Sequence, residues 1–573
     1  MTAAVSRPVR IGNAPGFYGD RLSAVREMLT GGELDVLTGD YLSELTMLIL
    51  GRDRLRDTSL GYARTFLRQL EDGLGLAVER GVRIVSNAGG LNPTGLAAAV
   101  RALAVRLGLQ VAVGCVTGDD LLPRAAELGF AEPVAANAYL GGWGIAACLQ
   151  AGADVVITGR VTDTSLVLGP AAAHHGWERT DYDALAGAIV AGHVIEGGPQ
   201  AAGGDLALFT ERPRDLLDTP PGFTIAEVAA DGSAVITRHD PTGGVVTVAT
   251  VTAQLLHQVA GGRYPGPDVT ARIDTAQLEQ DGPDRVRITG VRGEPPPPQL
   301  EVSVSRLGGF RNDVTFVLAG LDLDSKVDLV RAQLARSIPA TATAAATWTL
   351  ARTDRPAAVT GQQASATLRC VLRGPDPAAV GPPLSAAAAE LALAGYPGFH
   401  LTAPPSDAQP YGVFEAFYVD RAEVSERAEL PNGRSYPIGG PPRTQALTPV
   451  REPALPPWCP SGGTTRGPLG LLVLLRSGDK GGTANLGVWV RAAPAWPWLV
   501  HELTSDRLRE LLPETADRPI TRHVLGNLHA VNFVIEGLSG VGVTCDARFD
   551  PQATALGEWL RCREVDLPTE LLP

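Results

Sequence analysis

From Val9 onward the chain repeats one physical unit: a short apolar run, a turn of small and amide residues, then an Ala/Leu/Arg-rich helical stretch. The runs are Val9 to Gly12, Leu34 to Thr38, Val82 to Ser86, Leu109 to Gly114 and Asp154 to Thr158. They are short and do not alternate, as expected of strands covered on both faces in a parallel sheet. The stretch Leu96 to Gly108 carries Leu96, Val100, Leu103 and Leu107 at three- and four-residue steps, the spacing of one helix face. Residues 5–170 are therefore expected to form an α/β domain with a parallel or mostly parallel sheet.

Each run empties into a polar loop at its carboxyl end. The loops are Asn13 to Asp20, Gly39 to Tyr41, Asn87 to Pro93, Thr117 to Asp120 and Gly159 to Asp163. In an open α/β sheet that edge is where ligands bind. Asn13, Asp20, Asp40, Asn87, Asn92, Asp119, Arg160 and Asp163 are the candidates there. Asn and Asp after strands also serve as turn formers and helix caps, so a structural role stands beside the functional one for each.

A chain of 573 residues exceeds what one core supports, and two to four domains are expected. Residues 171–431 read as a mixed α/β region completing the large domain. Its expected strands include an alternating segment from Thr242, then Val286 to Thr289, Glu301 to Ser305, Val314 to Leu318, Thr347 to Ala351 and Ser365 to Val371; Ala386 to Leu393 reads as a helix. Proline and glycine dominate 432–468, which reads as a linker. Residues 469–573 read as a small α+β domain with strands Leu471 to Leu475, Asn485 to Arg491, Val531 to Ile535 and Val541 to Cys545, and a helix Ser505 to Leu512.

Charge and cysteine usage narrow the function classes. Sixty-two acidic residues against 49 basic ones give a formal charge of -13, so no broad positive surface awaits a nucleic acid. Six scattered cysteines without a CxxC pair fit a reducing, cytoplasmic setting. No run of 18 apolar residues suggests a membrane span, and the N-terminus has no signal-peptide pattern.

The first loop does not match the dinucleotide fingerprint, because Gly12, Gly16 and Gly19 are wrongly spaced and Pro15 lies among them. GxxxxGK[ST], HExxH and GxSxG are absent. Asp40, Glu44 and Asp163 offer oxygen ligands for a Mg²⁺ ion, but a metal-free site fits equally well, and no cofactor is expected. His193 and Glu196, three apart, share a face of a helical turn and with Gln200 suit acid–base work; helix capping is the alternative.

The sharpest short motif is Arg476-Ser-Gly-Asp-Lys-Gly-Gly-Thr-Ala-Asn485, placed after an expected strand. Its glycines can turn backbone N–H groups inward, Arg476 offers a planar fork and Lys480 a point charge, a combination suited to an anion. A solvated hairpin loop is the alternative. Among the 49 basic residues only Lys326 and Lys480 are lysines, so a lysine here stands against a strong bias toward arginine.

These stretches also carry a resemblance. Gly12 to Asp20, Leu37 to Glu44, Ser86 to Pro93, Ile157 to Asp163, Gly192 to Gln200, Pro241 to Gly244 and Tyr264 to Asp268 are together similar to the acyclic terpene utilisation family, over almost the full length. The segment Arg476 to Gly481 resembles the signature of the small domain found with that family. In the family pattern a cysteine follows the glutamate where Gly197 stands here, which excludes a thiol nucleophile at that point.

The resemblance implies breakdown of branched, isoprenoid-like acids as coenzyme A thioesters, or as acyl groups on a carrier protein. The leading expectation is a hydratase, dehydratase or double-bond isomerase. Asp20, Asp40, Asp163, His193 and Glu196 would do acid–base work; Asn13, Asn87, Asn92, Asp119, Arg160 and Gln200 would hold substrate; Arg476 and Lys480 would bind the anion. A non-catalytic acyl-CoA-binding or assembly subunit is the second expectation. A homodimer or higher homo-oligomer is expected on size alone.

Overall fold

The computed structural model describes residues 7–211, 219–339, 346–460, 462–540 and 546–572. Two compact units emerge: residues 1–305, 415–538 and 552–573 make the first, residues 306–414 and 539–551 the second.

The heart of the first unit is an eleven-stranded mixed sheet. Five of its strands are the expected parallel ones, in spatial order Val9–Asn13, Val36–Gly39, Arg83–Ser86, Val155–Thr158 and Val113–Thr117. Antiparallel strands flank them on both sides, starting with Thr224–Val228 against Val9–Asn13 and Arg427–Glu429 against Val113–Thr117. Ile11, Val85, Cys115, Val156 and Ile157 are fully buried, because helices cover both faces of these runs. The strand Val113–Thr117 starts four residues later than expected, at Val113 instead of Leu109.

The segment from Thr242 is corrected. Its Thr and Val residues read as an alternating strand, but Thr247 caps a helix, Val248–Leu255, through a reciprocal capping box with Thr250. Thr250 to Leu255 are all buried, and this packing overrides the β-branched preference for strand.

A smaller α+β domain forms the C-terminal part of the same unit. Its four-stranded antiparallel sheet has the spatial order Val473–Lys480, Thr483–Val490, Ala530–Ile535, Ile520–Leu525. Trp496–Glu502, Ser505–Leu511 and Leu556–Arg561 are its helices. The residues Arg476 to Lys480, expected in a loop, continue the first strand, and Lys480 pairs with Thr483 across a two-residue turn. Gly481 and Gly482, at φ 57° and 90°, make that turn, a backbone conformation that other residues adopt at a cost.

In the second unit, the helices Leu323–Ser337 and Pro382–Ala394 share a core with strands Ser365–Gly374 and Thr347–Ala351. Glu301 to Ser305 and Val314 to Leu318, expected as separate strands, belong to one strand, Gln299–Ala319. The expected strand Val541 to Cys545 lies outside the described residues. Among the described residues no helix is long and apolar enough to cross a membrane.

Candidate functional site

Ends of the parallel strands and the loops that follow them, carrying Asn13, Asp40 and Asp163, gather at the end of the helix Tyr182–Ile195. Asp40, directly after Val36–Gly39, is 7% exposed. Its Oδ1 accepts from Asn87 Nδ2 at 2.7 Å and from the Leu42 N–H at 3.2 Å; Oδ2 accepts no hydrogen bond among the described residues. Asn87 is fully buried and also accepts from the Tyr41 N–H, so it aims Asp40 from the neighbouring strand end.

Arg160, 4% exposed, lies within electrostatic reach of Asp40. Its Nη1 donates to the Leu42 carbonyl at 2.8 Å and to Asp163 Oδ1 at 3.2 Å, and its Nη2 donates to the Tyr139 hydroxyl at 3.0 Å. The guanidinium also stacks over the Tyr139 ring, 4.3 Å from its centroid. Asp119 accepts from the Arg160 backbone N–H and from Asn137, both at 2.8 Å, and thereby fixes the loop that carries the arginine.

Burial is the main force on these carboxyls. It pushes Asp40 up to about 6, against the opposing pull of Asn87 and Arg160. It pushes Asp163 well above the carboxylate range, reinforced by the negative charge of Asp40 and of Glu196 and opposed by Arg160. Asp40 and Asp163 repel each other and titrate as a pair.

The helix end contributes His193 and Glu196. His193 Nδ1 lies 3.0 Å from a Glu196 oxygen, an ion-pair separation whose angle is not that of a hydrogen bond. Both ring nitrogens are buried without a hydrogen-bond partner among the described residues. The ring packs on Tyr264 with centroids 4.9 Å apart. Asn13 donates to the carbonyls of Ile195 and Glu196 at 3.2 and 2.8 Å, anchoring this helix end to the first strand.

Lys480 arrives from the C-terminal sheet. Its Nζ lies 4.0 Å from Glu301, and its side chain is 50% exposed. Partial desolvation works against its charge, but Glu301, Tyr139, Glu44 and Asp163 together hold its pKa above the ordinary lysine value. Tyr264 is held well above the usual tyrosine range by burial and by the charges of Glu196 and Asp163, so its hydroxyl keeps its proton. That hydroxyl makes no hydrogen bond among the described residues.

The strand carrying Lys480 is seated by direct contacts. A Cβ on Gly478 would fall 2.5 Å from the His257 ring, so only glycine lets the strand lie this close. Asn485 accepts from the Gln258 N–H at 2.8 Å and donates to the Val259 carbonyl at 3.0 Å. Asn532 donates to the same carbonyl at 2.6 Å.

The model of the family described as "Acyclic terpene utilisation family protein AtuA" matches residues 9–430. The chain belongs to this family. The model described as "AtuA ferredoxin-like domain" matches residues 468–566, the span of the C-terminal α+β domain. No curated protein and no solved structure matches the chain. For this member of the acyclic terpene utilisation family, the described residues contain no group of three or more His, Cys, Asp or Glu side chains placed to hold a metal ion.

The sequence candidates thus divide by position. Asp40, Asp163, Arg160, His193, Glu196 and Lys480 belong to one electrostatic cluster. Asn13, Asn87 and Asp119 border it and hold its members. Asp20 accepts from the Gly16 and Arg21 N–H groups within its own loop. Asn92 caps the helix Pro93–Arg106 and donates to the Ser59 and Leu60 carbonyls. Gln200 donates to Asp205, which pairs with Arg476. Tyr139, Glu301 and His257 escaped sequence reasoning, since no motif surrounds them; Tyr264 lay at the start of a stretch already singled out by the family resemblance.

Proposed function

We propose that this protein is an acid–base enzyme acting on a branched, isoprenoid-like acyl thioester, as a hydratase, dehydratase or double-bond isomerase. The observation that carries the reading is the pair of carboxyls pushed up by burial, Asp40 and Asp163, within electrostatic reach of each other and, through Asp163, of Lys480, a cation from the C-terminal domain. Family membership supports the substrate class, since the family's description names acyclic terpene utilisation.

In this reading Asp40, titrating near 6, is ionised at neutral pH and removes a proton from the carbon α or γ to the thioester. The electron pair moves into the carbonyl, and the developing oxyanion is met by the Lys480 ammonium and the Tyr264 hydroxyl, both already charged or polarised before reaction. Asp163, held protonated, returns a proton at the other end of the allylic system for a double-bond shift. For dehydration the same proton goes to the departing β-hydroxyl, which leaves as water; hydration is the reverse. Arg160 orients Asp163 and holds the Leu42 carbonyl beside the Asp40 loop.

The test is incubation of the purified chain with α,β- and β,γ-unsaturated branched acyl-CoAs in deuterated water. Deuterium gain, a shift of the double bond or a mass change of one water supports the reading. Tight thioester binding without any of these would instead support a non-catalytic acyl-CoA-binding subunit.

A further inference from the structure

Arg476 lines a cleft of about 800 Å³ that shares no residue with the acid–base cluster. Leu206, Phe209, Pro220, Pro221 and Leu475 make much of its wall apolar, and Phe209 is 56% exposed there. Arg476 is itself 8% exposed, and its Nε has no hydrogen-bond partner among the described residues. Its ion pair is with Asp205, at 3.3 Å, and that carboxylate is 64% exposed. Asp205 stands in the left-handed backbone region at φ 57° and also accepts from Gln200 at 2.9 Å.

A guanidinium buried this deeply needs its fork filled by oxygens. An exposed carboxylate shared with Gln200 is a weak and exchangeable partner, because water screens it and holding it costs side-chain entropy. Among the described residues that line the cleft there is no second cation beside Arg476; Asp205 lines it with negative charge, as does Glu558, which is paired with Arg561 at 3.2 Å. A phosphate dianion would meet that repulsion with one guanidinium to offset it. A monoanion with an apolar body fits both the charge balance and the walls.

We infer that this cleft is a second ligand site, which binds a hydrophobic monocarboxylic acid by replacing Asp205 on Arg476. The site goes beyond the proposed proton transfer and does not depend on it. A free acid bound here presents its carboxylate to Arg476 and its hydrocarbon to Phe209 and Leu475. The Asp205 carboxylate swings to solvent.

Calorimetric titration of the full chain with 3,7-dimethyloctanoate, a saturated branched acid, tests this. The expected result is saturable binding that is lost with the methyl ester, is not competed by inorganic phosphate, and weakens at least about tenfold in Arg476→Gln. Asp205→Asn, a change at an exposed position, removes the internal competitor and is expected to tighten binding about threefold or more. If Arg476→Gln fails to fold by circular dichroism, Asp205→Asn decides alone: tightening supports the site, and unchanged or weaker binding overturns it. Lys480→Met is expected to bind the acid like the unaltered chain. No binding at millimolar acid, equal binding of the ester, competition by phosphate, or loss of binding in Lys480→Met would each overturn the inference, whatever the outcome of the deuterium experiment.

Discussion

Lys480 Nζ stands 4.0 Å from the Glu301 carboxylate, so a cation near the start of the C-terminal domain faces residues contributed by the large domain. The same ammonium lies within electrostatic reach of Glu44 and Asp163, which follow two different parallel strands. The strand pairing from Val473 to Lys480 and the glycines after it hold that side chain in place.

The pH dependence of activity follows from the paired carboxyls. The ascending limb of kcat is expected near pH 6, the value to which burial pushes Asp40. Asp40→Asn should remove that limb and lower kcat by about 10² or more, as loss of a positioned base does. A pH profile of deuterium incorporation measures both.

The same shift has a consequence for stability. Asp40 titrates near 6 when folded and near 4 when unfolded, so between those values the folded chain holds a proton that the unfolded chain has released. Its contribution to stability is therefore greatest at low pH and declines as pH rises from about 4 to about 6, by up to about 3 kcal/mol. Asp119, also pushed up to about 6 by burial, acts in the same direction. Denaturant melts at pH 4.5 and 7 should show a smaller decline for Asp40→Asn than for the unaltered chain.

How much of this was legible in the sequence depends on the scale of the force. The apolar runs from Val9 to Thr158 revealed the parallel strands because burial on both faces acts along a whole segment. The helix from Val248 was hidden, since its cap at Thr247 is local while the packing that overrides its β-branched residues is not. Asp40, Asp163 and Lys480 were visible as polar ends of strands or as a departure from the arginine bias. Their convergence was not, because the antiparallel pairing that carries Lys480 joins residues distant from the first domain. Asn92 shows the opposite limit: a polar residue at a loop end reads alike whether it holds a ligand or a helix.

Asn92→Ala separates those two roles. Loss of the bond to the Gly95 N–H should cost about 1 kcal/mol of stability, as for other helix N-caps. KM is expected to stay within about twofold, whereas a substrate-holding amide would raise it about tenfold or more. Chemical melts and initial rates on the same preparation measure the two effects.

Asn485→Ala tests the seating of the C-terminal sheet. The substitution leaves the Gln258 N–H without its acceptor and removes one of the two donors to the buried Val259 carbonyl and the donor to Asn532 Oδ1, and a loss of about 1–3 kcal/mol is expected. Because Lys480 lies on the adjoining strand, kcat should fall with it. Melting temperature and protease sensitivity near 256–260 give the readout.

The central claim is that Lys480 completes the proton-transfer site of the large domain. Deuterium incorporation into a branched unsaturated acyl-CoA, compared between the unaltered chain and Lys480→Met under saturating substrate, tests it most directly. The expected result is a fall in exchange rate of about 10² or more, with a melting temperature within about 2 °C, since the side chain is half exposed. Exchange at an undiminished rate in Lys480→Met would contradict the account.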